Sequence, residues 1–182
     1  EVPAPPPPEP ERVAGPTDAD LIRFLDLFAG REDAWARMWG SRGGAVGYSP
    51  VRAPLTPEVL REHLAGRLTA GIYFVGPDHT VSLFALDLDA SASALQQARG
   101  DARLTRRLLE EIEQEGLRLL TGLRAVGLDP LLVDSGHKGR HLWCFLPTPQ
   151  PAAEVRSYAR QLAAALTPPS ARLSLEVFPK QD

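Results

Sequence analysis

The stretch VSLFALDLDA, residues 81 to 90, is an apolar run that ends with two carboxylates, Asp87 and Asp89. An apolar run of this length predicts a buried strand, in which alternate side chains share a face and both carboxylates point the same way. Their Cα atoms would lie about 6.5 to 7 Å apart, where two like charges repel by about 2 to 3 kcal/mol at an effective dielectric near 20. A divalent cation would offset this repulsion. The alternative is a strand end that opens into a polar loop, and the pair alone does not decide between the two.

The composition limits the kinds of protein this can be. The chain has 182 residues, of which 43% are hydrophobic and 24% charged, which predicts one globular domain, or one domain with a tail. No stretch has membrane-spanning length and no secretory signal opens the sequence, so we expect no membrane partner and a prokaryotic cytoplasmic location. The single cysteine, Cys144, excludes a disulfide framework and a four-cysteine zinc site. The net charge of −3 means that any contact with nucleic acid must be local.

The first 16 residues, EVPAPPPPEPERVAGP, contain seven prolines and almost nothing that could pack into a core. This composition predicts an extended linker or tail over residues 1–16 and a folded domain over residues 17–182. A linker at the start indicates a piece of a longer parent protein with other domains. A native proline-rich tail is the alternative.

The remaining elements predict an α+β fold with an N-terminal helical extension. In that extension, Thr17 is the predicted N-cap of the helix DADLIRFLDLF, and Thr56 that of the helix TPEVLREHLAG. Residues 31–40 are predicted as a short helix that places Trp35 and Trp39 one turn apart. We expect the two tryptophans in the core, although one of them could stack on a base.

The core is predicted to be a mostly antiparallel sheet with an RRM-like ββ-α-ββ-α-β arrangement and with helices packed on it. It begins with a β-hairpin, in which the turn GPDH joins the strands GIYFV and TVSLFALDLD. A long helix over about 101–126 follows. The last elements are the strands PLLVD and RHLWCFL, the helix AAEVRSYARQLAAAL and the strand RLSLEVF.

A second informative stretch is DSGHKGRHLW, residues 134 to 143. Gly136 and Gly139 allow a tight turn whose backbone N–H groups can converge on an anion. Lys138 adds a mobile positive charge and Ser135 adds a hydroxyl group. The spacing is not that of a Walker loop, and an ordinary glycine-containing β-turn is the alternative interpretation.

The strand that leaves this turn is predicted to have two different faces. His141 shares one face with Trp143 and Phe145, whereas Leu142 and Cys144 point into the core. This places His141 beside the turn and on the face that remains available for chemistry.

The distribution of basic residues supports a special role for this turn. Of the 20 lysine and arginine residues, only Lys138 and Lys180 are lysines. They lie in SGHKGRH and EVFPKQD, the two stretches that end or begin candidate strands. Lysine is a compact, rotatable donor that the planar fork of arginine does not replace well, so both lysines are candidate anion-binding residues.

The motifs FALDLD, SGHKGRHLW and EVFPKQD, in this order, resemble the three motifs of the archaeo-eukaryotic primase superfamily, the primase-polymerases. The segments FAGREDAWARMWG, VGYSP and LREHLAGRLTAGIYF resemble the region that precedes the catalytic core in the branch associated with bacterial conflict systems and CRISPR loci. The resemblance therefore covers about residues 20–182.

The resemblance implies a role for each matching residue. Asp87 and Asp89 correspond to the acidic pair that binds two divalent metal ions, Mg²⁺ or Mn²⁺. Glu176 corresponds to the third acid, with Asp182 as the competing assignment. The residues implied in binding the triphosphate are Ser135, Lys138 and His141, with Lys180 beside them. In the family the chain continues beyond this point, so we expect a primase-polymerase-like domain that is truncated at its C-terminal end.

These observations lead to a hypothesis about function. The chain is predicted to be a template-dependent nucleotidyltransferase, a DNA or RNA primase-polymerase, that adds nucleoside triphosphates to a 3′-hydroxyl on a single-stranded or primed template. The first alternative is a module that keeps the fold and binds nucleotides or nucleic acid without turnover. A glycosyltransferase with a D-x-D motif is a further alternative, but it does not account for SGHKGRH.

Overall fold

The computed structural model describes residues 15–40, 46–136, 138–166 and 170–181. Most of the predicted linker and the competing third acid, Asp182, lie outside the described residues. The linker and the domain boundary at residue 17 therefore stay predictions. Within the described parts of the chain, no helix has both the length and the apolar character needed to cross a membrane.

The helices of the described residues are α1 (Asp18–Leu27), α2 (Pro57–Leu64), α3 (Ala92–Ala98), α4 (Ala102–Ala125) and α5 (Ala152–Ala165). Two of them begin at the predicted N-caps. Thr17 forms a reciprocal capping box with Asp20 at the start of α1, and the Thr56 side chain accepts from the backbone N–H of Val59 in α2. The long helix predicted over about 101–126 is α4. Helix α3 was not predicted and is capped by Ser91.

The strands are β1 (Trp35–Gly40), β2 (Val46–Val51), β3 (Ala70–Ile72), β4 (Thr80–Ala90), β5 (Leu131–Asp134), β6 (Gly139–Pro151) and β7 (Leu173–Phe178). They form a smaller sheet with the order β2-β1-β3 and a larger sheet with the order β5-β6-β4-β7. Every described strand pair is antiparallel. From β4 to β7 the order of elements is β-α-α-β-β-α-β, which confirms the predicted α+β fold with a mostly antiparallel sheet.

One face of the larger sheet carries the core. Leu86 and Leu88 of β4 and Leu142 and Cys144 of β6 are buried on this face, as the predicted alternation requires. The helix residues that cluster with them are Leu108, Ile112, Leu119 and Leu123 of α4 and Val155 and Ala159 of α5. The helices thus cover one face of the sheet and leave the other face to the rest of the chain.

The prediction of a helix over 31–40 is wrong, because this segment contains strand β1. An added Cβ at Gly30 would overlap the carbonyl oxygen of Tyr73, and the N–H of Arg31 donates to that same oxygen at 2.8 Å. This hydrogen bond holds the start of the segment, at Arg31, against the backbone of Tyr73. Strand β1 then pairs with β2 on one side and with β3 on the other. The aromatic spacing fits a helix or a strand equally well, and these backbone bonds decide for the strand.

The two tryptophans of β1 have different environments. Trp35 is 6% exposed, which agrees with the predicted core position. Trp39 is 47% exposed, so the prediction of a core position is wrong for this residue. Its ring lies over Gly47 on β2, where an added Cβ would come within 2.6 Å of the ring.

The predicted hairpin between GIYFV and TVSLFALDLD is also wrong. Its turn exists, since the N–H of Gly76 donates to the carbonyl of Thr80 at 2.9 Å, but the two strands do not pair. Strand β3 ends at Ile72 and pairs with β1 in the smaller sheet. The chain then passes from one sheet to the other, and the Phe74 ring stacks on Trp143 with 5.8 Å between centroids. The hairpin pairing is replaced by packing of the half-buried Phe74 ring on the larger sheet.

Aromatic contacts join the smaller sheet and α1 to the uncovered face of the larger sheet. The Phe28 ring, at the end of α1, lies 5.0 Å from Trp143 and 5.2 Å from Phe145. The Phe74 ring stacks on Phe178 at 5.8 Å. These contacts cover the end of the face that carries Trp143 and leave a cleft beside Asp87.

The buried thiol gives a test of this arrangement. Burial raises the pKa of Cys144 to about 12, from an ordinary value of 9.0. The unfolded chain therefore loses this proton first, and the free energy of unfolding should fall by about 1 kcal/mol from about pH 8 to about pH 10. A Cys144→Ala variant, measured by urea denaturation at both pH values, should lack this part of the decrease. Equal pH dependence in the two proteins, or rapid reaction of the native thiol with a disulfide reagent, would contradict the burial.

Candidate active site

Strand register alone brings three side chains of the candidate site together. Asp87 on β4 lies directly opposite His141 on β6 and Glu176 on β7. Two residues further along β4, Asp89 lies opposite Gly139. Side chains directly opposite one another in an antiparallel pair share a face and have Cβ atoms about 4.5 to 5.5 Å apart. The motif residues therefore converge on the face of the sheet that the helices do not cover.

Asp87 is the most unusual group of the site. Its Oδ1 is buried and, among the described residues, has no hydrogen-bond partner. The Nε2 of His141 lies 3.4 Å from this oxygen. Burial raises the pKa of Asp87, and the nearby carboxylates of Asp89 and Glu176 raise it further, while His141 and Lys138 act in the opposite direction. The fold therefore disfavours the ionised form of this carboxyl group.

Both lysines of the chain contact acids of the site. The Nζ of Lys138 lies 2.7 Å from Oδ2 of Asp89. The Nζ of Lys180 lies 2.7 Å from Oε2 of Glu176 and 4.8 Å from the centroid of the Phe178 ring. The repulsion expected between the acids of β4 is thus relieved partly by a lysine of the neighbouring turn.

The turn between β5 and β6 is fixed by its own backbone. The N–H of Ser135 donates to the carbonyl of Gly139 at 3.1 Å, and the carboxylate of Asp134 accepts from the N–H of Gly136 at 2.7 Å. Gly136 has a φ of +83°, a conformation that residues with a Cβ rarely adopt. The carbonyl of Lys138 accepts from the N–H of Ala90, which ties the turn to the end of β4. Lys138 is therefore held beside Asp89, and the backbone of Ser135 is tied to the start of β6.

Gly139 is required by a close approach of two strands. An added Cβ at this position would overlap the backbone carbonyl of Leu88 and the carboxylate of Asp89. The absence of a side chain allows Asp89 to lie against the backbone of the turn. The glycine that the sequence analysis assigned to turn formation thus also makes room for an acid of the site.

Arg140 supports the turn from the opposite face, and the sequence analysis did not identify this role. Its guanidinium contacts Oε2 of Glu113 in α4 at 2.7 Å and Oδ2 of Asp134 at 2.8 Å. Its side chain packs next to Gly116 of the same helix. Asp134 and Arg140 flank the turn in the sequence, which could have indicated their pairing. Glu113 lies 27 residues away, and no local pattern connects it to the turn.

A cavity of about 380 Å³ lies between the two sheets, next to the acids. Asp87 and His141 are the ionisable side chains of its wall, apart from Tyr48. The remaining lining residues are Ala36, Gly71, Ile72, Phe74, Ala85, Trp143 and Phe178. The sequence analysis did not identify this cavity, because half of its wall comes from the segment that was predicted as a helix and a hairpin.

The side chains of the site are not arranged as a closed metal site. Among the described residues, no three His, Cys, Asp or Glu side chains converge closely enough to hold a metal ion. Asp89 and Glu176 are paired with lysines instead. The donor atoms are nevertheless carboxylate oxygens, which Mg²⁺ and Mn²⁺ prefer, and Oδ1 of Asp87 lacks a partner.

The environment of Asp87 predicts the effect of removing its charge. In a metal-free buffer at about pH 7, Asp87→Asn should raise the free energy of unfolding by at most about 1 kcal/mol, because a disfavoured carboxylate is lost. Since the pKa of Asp87 is raised, the gain should disappear in acid, where the group is protonated in both the folded and unfolded chains. Asp129→Asn, which removes an exposed carboxylate paired with Arg124, is the matched control and should give no gain. Thermal denaturation of the three proteins measures the difference, and a less stable Asp87→Asn protein at neutral pH would contradict it.

Comparisons with known proteins give independent information on the family. Seven solved chains match, and one of them is the polymerase domain from Mycobacterium tuberculosis Ligase D in complex with DNA. That structure has 16% sequence identity and a TM-score of 0.45, and the match covers 82% of this chain and 62% of that one. This chain therefore spans less than two thirds of the length of that domain. No curated protein sequence matches the chain.

The family comparison is more extensive. The sequence profile of the archaeo-eukaryotic primase domain of the TOTE conflict system matches residues 19–182, which is nearly the whole described fold. This match confirms the resemblance to primase-polymerases and to their conflict-system branch. The chain therefore belongs to the archaeo-eukaryotic primase domain family of TOTE conflict systems, a family of the nucleotidyltransferase type.

Proposed function

We propose that the chain catalyses template-dependent nucleotidyl transfer, in which a 3′-hydroxyl attacks a nucleoside triphosphate and pyrophosphate leaves. The observation that carries this proposal is the position of Asp87 between His141 and Glu176 on three adjacent strands. Asp89 and Lys138 lie beside them. This arrangement puts carboxylates and a cationic turn on one face, as phosphoryl transfer from a triphosphate requires.

The carboxylates are the residues that would hold divalent metal ions. Asp87, Asp89 and Glu176 supply oxygen donors suited to Mg²⁺ or Mn²⁺, and Oδ1 of Asp87 is a buried acceptor without a partner among the described residues. When bound there, two ions would lower the pKa of the attacking hydroxyl group and neutralise charge on the leaving pyrophosphate. Asp89 and Glu176 would exchange their lysine partners for a metal ion.

The released lysines would then bind the nucleotide. Lys138 and Ser135 belong to the same turn, and His141, the third residue of β6, lies opposite Asp87. In this proposal Lys138 and His141 hold the triphosphate in line with the attacking hydroxyl group, Ser135 donates a hydrogen bond and Lys180 adds a second mobile charge. Each lysine thus has one partner in the free protein and another in the nucleotide complex.

The reaction proposed here needs no side-chain nucleophile. Cys144, the single cysteine, is buried on the helix-covered face of the sheet, and burial raises its pKa to about 12. A thiol in that position is neutral and inaccessible, so it takes no part in the chemistry.

One observation favours a second candidate function. The acids Asp89 and Glu176 are neutralised by lysines, and the described residues do not form a closed metal site. A module that binds nucleotides or nucleic acid without turnover would keep this arrangement permanently. The two functions differ in whether bound nucleotide is incorporated.

Substitution of the two aspartates of β4 tests the proposed function. Asp87→Asn with Asp89→Asn should lower incorporation of labelled nucleotides on a primed or single-stranded template by at least about 100-fold in the presence of Mn²⁺ or Mg²⁺. The loss is expected because both ions would lose carboxylate ligands. Asp129→Asn is the matched control and should retain activity, since this exposed carboxylate lies on α4's C-terminal loop and pairs with Arg124.

Two results would overturn the assignment. A double variant that still polymerises would show that these carboxylates are not the metal ligands. Wild-type protein that binds nucleoside triphosphates in a metal-dependent way, but makes no product with any template, would favour the binding module.

Substitution of Lys138 separates nucleotide binding from metal binding. Lys138→Ala should weaken triphosphate affinity by about 10-fold or more, because a charge-assisted contact is lost. Without nucleotide, the same change should leave Mn²⁺ affinity equal or higher, because Asp89 loses its competing partner. Calorimetric titrations with Mn²⁺ alone, and with nucleotide and Mn²⁺ together, measure both effects. Unchanged triphosphate affinity in Lys138→Ala would exclude the proposed contact.

A further inference from the structure

The cleft-facing side of the β1–β2 pair carries an exposed apolar strip, which consists of Met38, Val46 and Tyr48. Met38 and Tyr48 lie directly opposite each other, and Val46 lies one pair further out on the same face. The exposed fraction is 38% for Met38, 63% for Val46 and 58% for Tyr48. Towards the core the same face continues through Ala36, which lines the cavity next to the acids. The apolar strip is therefore an extension of the cavity wall.

Tyr48 joins the apolar strip to the cavity. It lines the cavity together with Asp87 and His141 and is at the same time more than half exposed, so it lies at the mouth. Its ring reaches across β1 to β3, where an added Cβ on Gly71 would lie 3.7 Å from Cε1 of the ring. Among the described residues the Tyr48 side chain has no hydrogen bond and no aromatic partner. The ring is thus supported by the sheet and available to a ligand.

The charges around the apolar strip suit a polyanion. Strands β1 and β2 contain no acidic residue, so neither strand places a carboxylate beside the apolar strip; Arg37, their charged residue, is exposed on the opposite face, which also carries Trp39. The whole chain has a net charge of −3, so a surface without carboxylates is one where a nucleic-acid backbone meets less repulsion. This makes the β1–β2 pair a place where the local contact required by the overall charge can form.

The order of groups along the cleft indicates which part of a ligand lies where. The acids and Lys138 are at one end, near Asp89, and the apolar wall begins at Ala85, about 13 Å away along β4. A strand whose phosphates and 3′-hydroxyl lie at the carboxylates would direct its bases towards Tyr48. A protein partner fits less well, because three side chains fall far short of the roughly 800 Å² per partner that a stable protein interface buries.

We infer that the apolar strip binds single-stranded nucleic acid by stacking bases on Tyr48, with Met38 and Val46 as apolar neighbours. This inference rests on the proposed function for the direction of the strand, but the stacking itself needs neither metal ions nor nucleotide. Every base has a π face, so the contact tolerates any sequence. The positions of the three side chains thus assign template or primer binding to the N-terminal part of the domain.

Binding of a labelled oligonucleotide of about 12 nucleotides, measured by fluorescence anisotropy with a chelator present, tests the inference. Tyr48→Ala should weaken binding by about tenfold, because one stacking contact is lost. Tyr48→Phe should bind as well as wild type, and Tyr48→Leu, which keeps apolar bulk without a π face, should resemble the alanine variant. Trp39→Ala is the matched control, since it removes an exposed aromatic residue from the opposite face of the same strand pair and should change affinity less than about twofold.

The possible outcomes separate this inference from the proposed function. Wild-type affinity in Tyr48→Ala, equal losses in Tyr48→Ala and Trp39→Ala, or no binding by the wild-type protein would each overturn the stacking site. The variant with Asp87→Asn and Asp89→Asn should fail to incorporate nucleotides but bind the oligonucleotide at least as tightly as the wild type, because two carboxylates that repel phosphates are gone. If the wild-type protein binds through Tyr48 but never incorporates, the proposed function fails and the stacking site stands.

Discussion

The site depends on the pairing of β4 with β6 on one side and β7 on the other. Because β4 is hydrogen-bonded to both neighbours, its position fixes which side chains of three strands meet on each face. Leu86 and Leu88 anchor that position by their burial under the helices. The same burial that stabilises the fold therefore also aligns Asp87 with His141 and Glu176 on the opposite face of the sheet.

The free protein neutralises its own acids. In water two carboxylates so close together would repel, yet Asp89 and Glu176 each have an ammonium group at 2.7 Å. Asp87, which has no lysine at that distance, keeps the raised pKa and the buried oxygen without a partner. The two kinds of carboxylate would therefore bind a cation in different ways. Asp89 and Glu176 would have to release a lysine in order to bind a cation, whereas Asp87 would gain a partner by binding one.

The sequence was sufficient to predict the structure of those segments in which a local pattern and tertiary packing favour the same conformation. The alternation in VSLFALDLDA and RHLWCFL predicted the two faces of β4 and β6, and the apolar spacing of residues 101–126 predicted α4. The failures are in the segment before β4. Trp35 and Trp39 fit a helical spacing, and the strand is selected by the pairing of β1 with β2 and β3 together with the contact between Gly30 and Tyr73, 43 positions apart. The cavity and the Arg140–Glu113 pair escaped prediction for the same reason, because they join residues that no local pattern connects.

The backbone bonds of the turn between β5 and β6 separate its shape from its chemistry. Ser135 and Lys138 are held in place by N–H and carbonyl groups that every residue other than proline possesses, while the two glycines supply the conformation and the space. The side chains of Ser135 and Lys138 can therefore be exchanged without a change in the backbone of the turn. If the turn binds a phosphorylated ligand, as proposed, substitutions there would change the ligand preference, and a change at Lys138 would also remove its ion pair with Asp89. The turn is thus a place where the ligand specificity of this scaffold would change without a new backbone path.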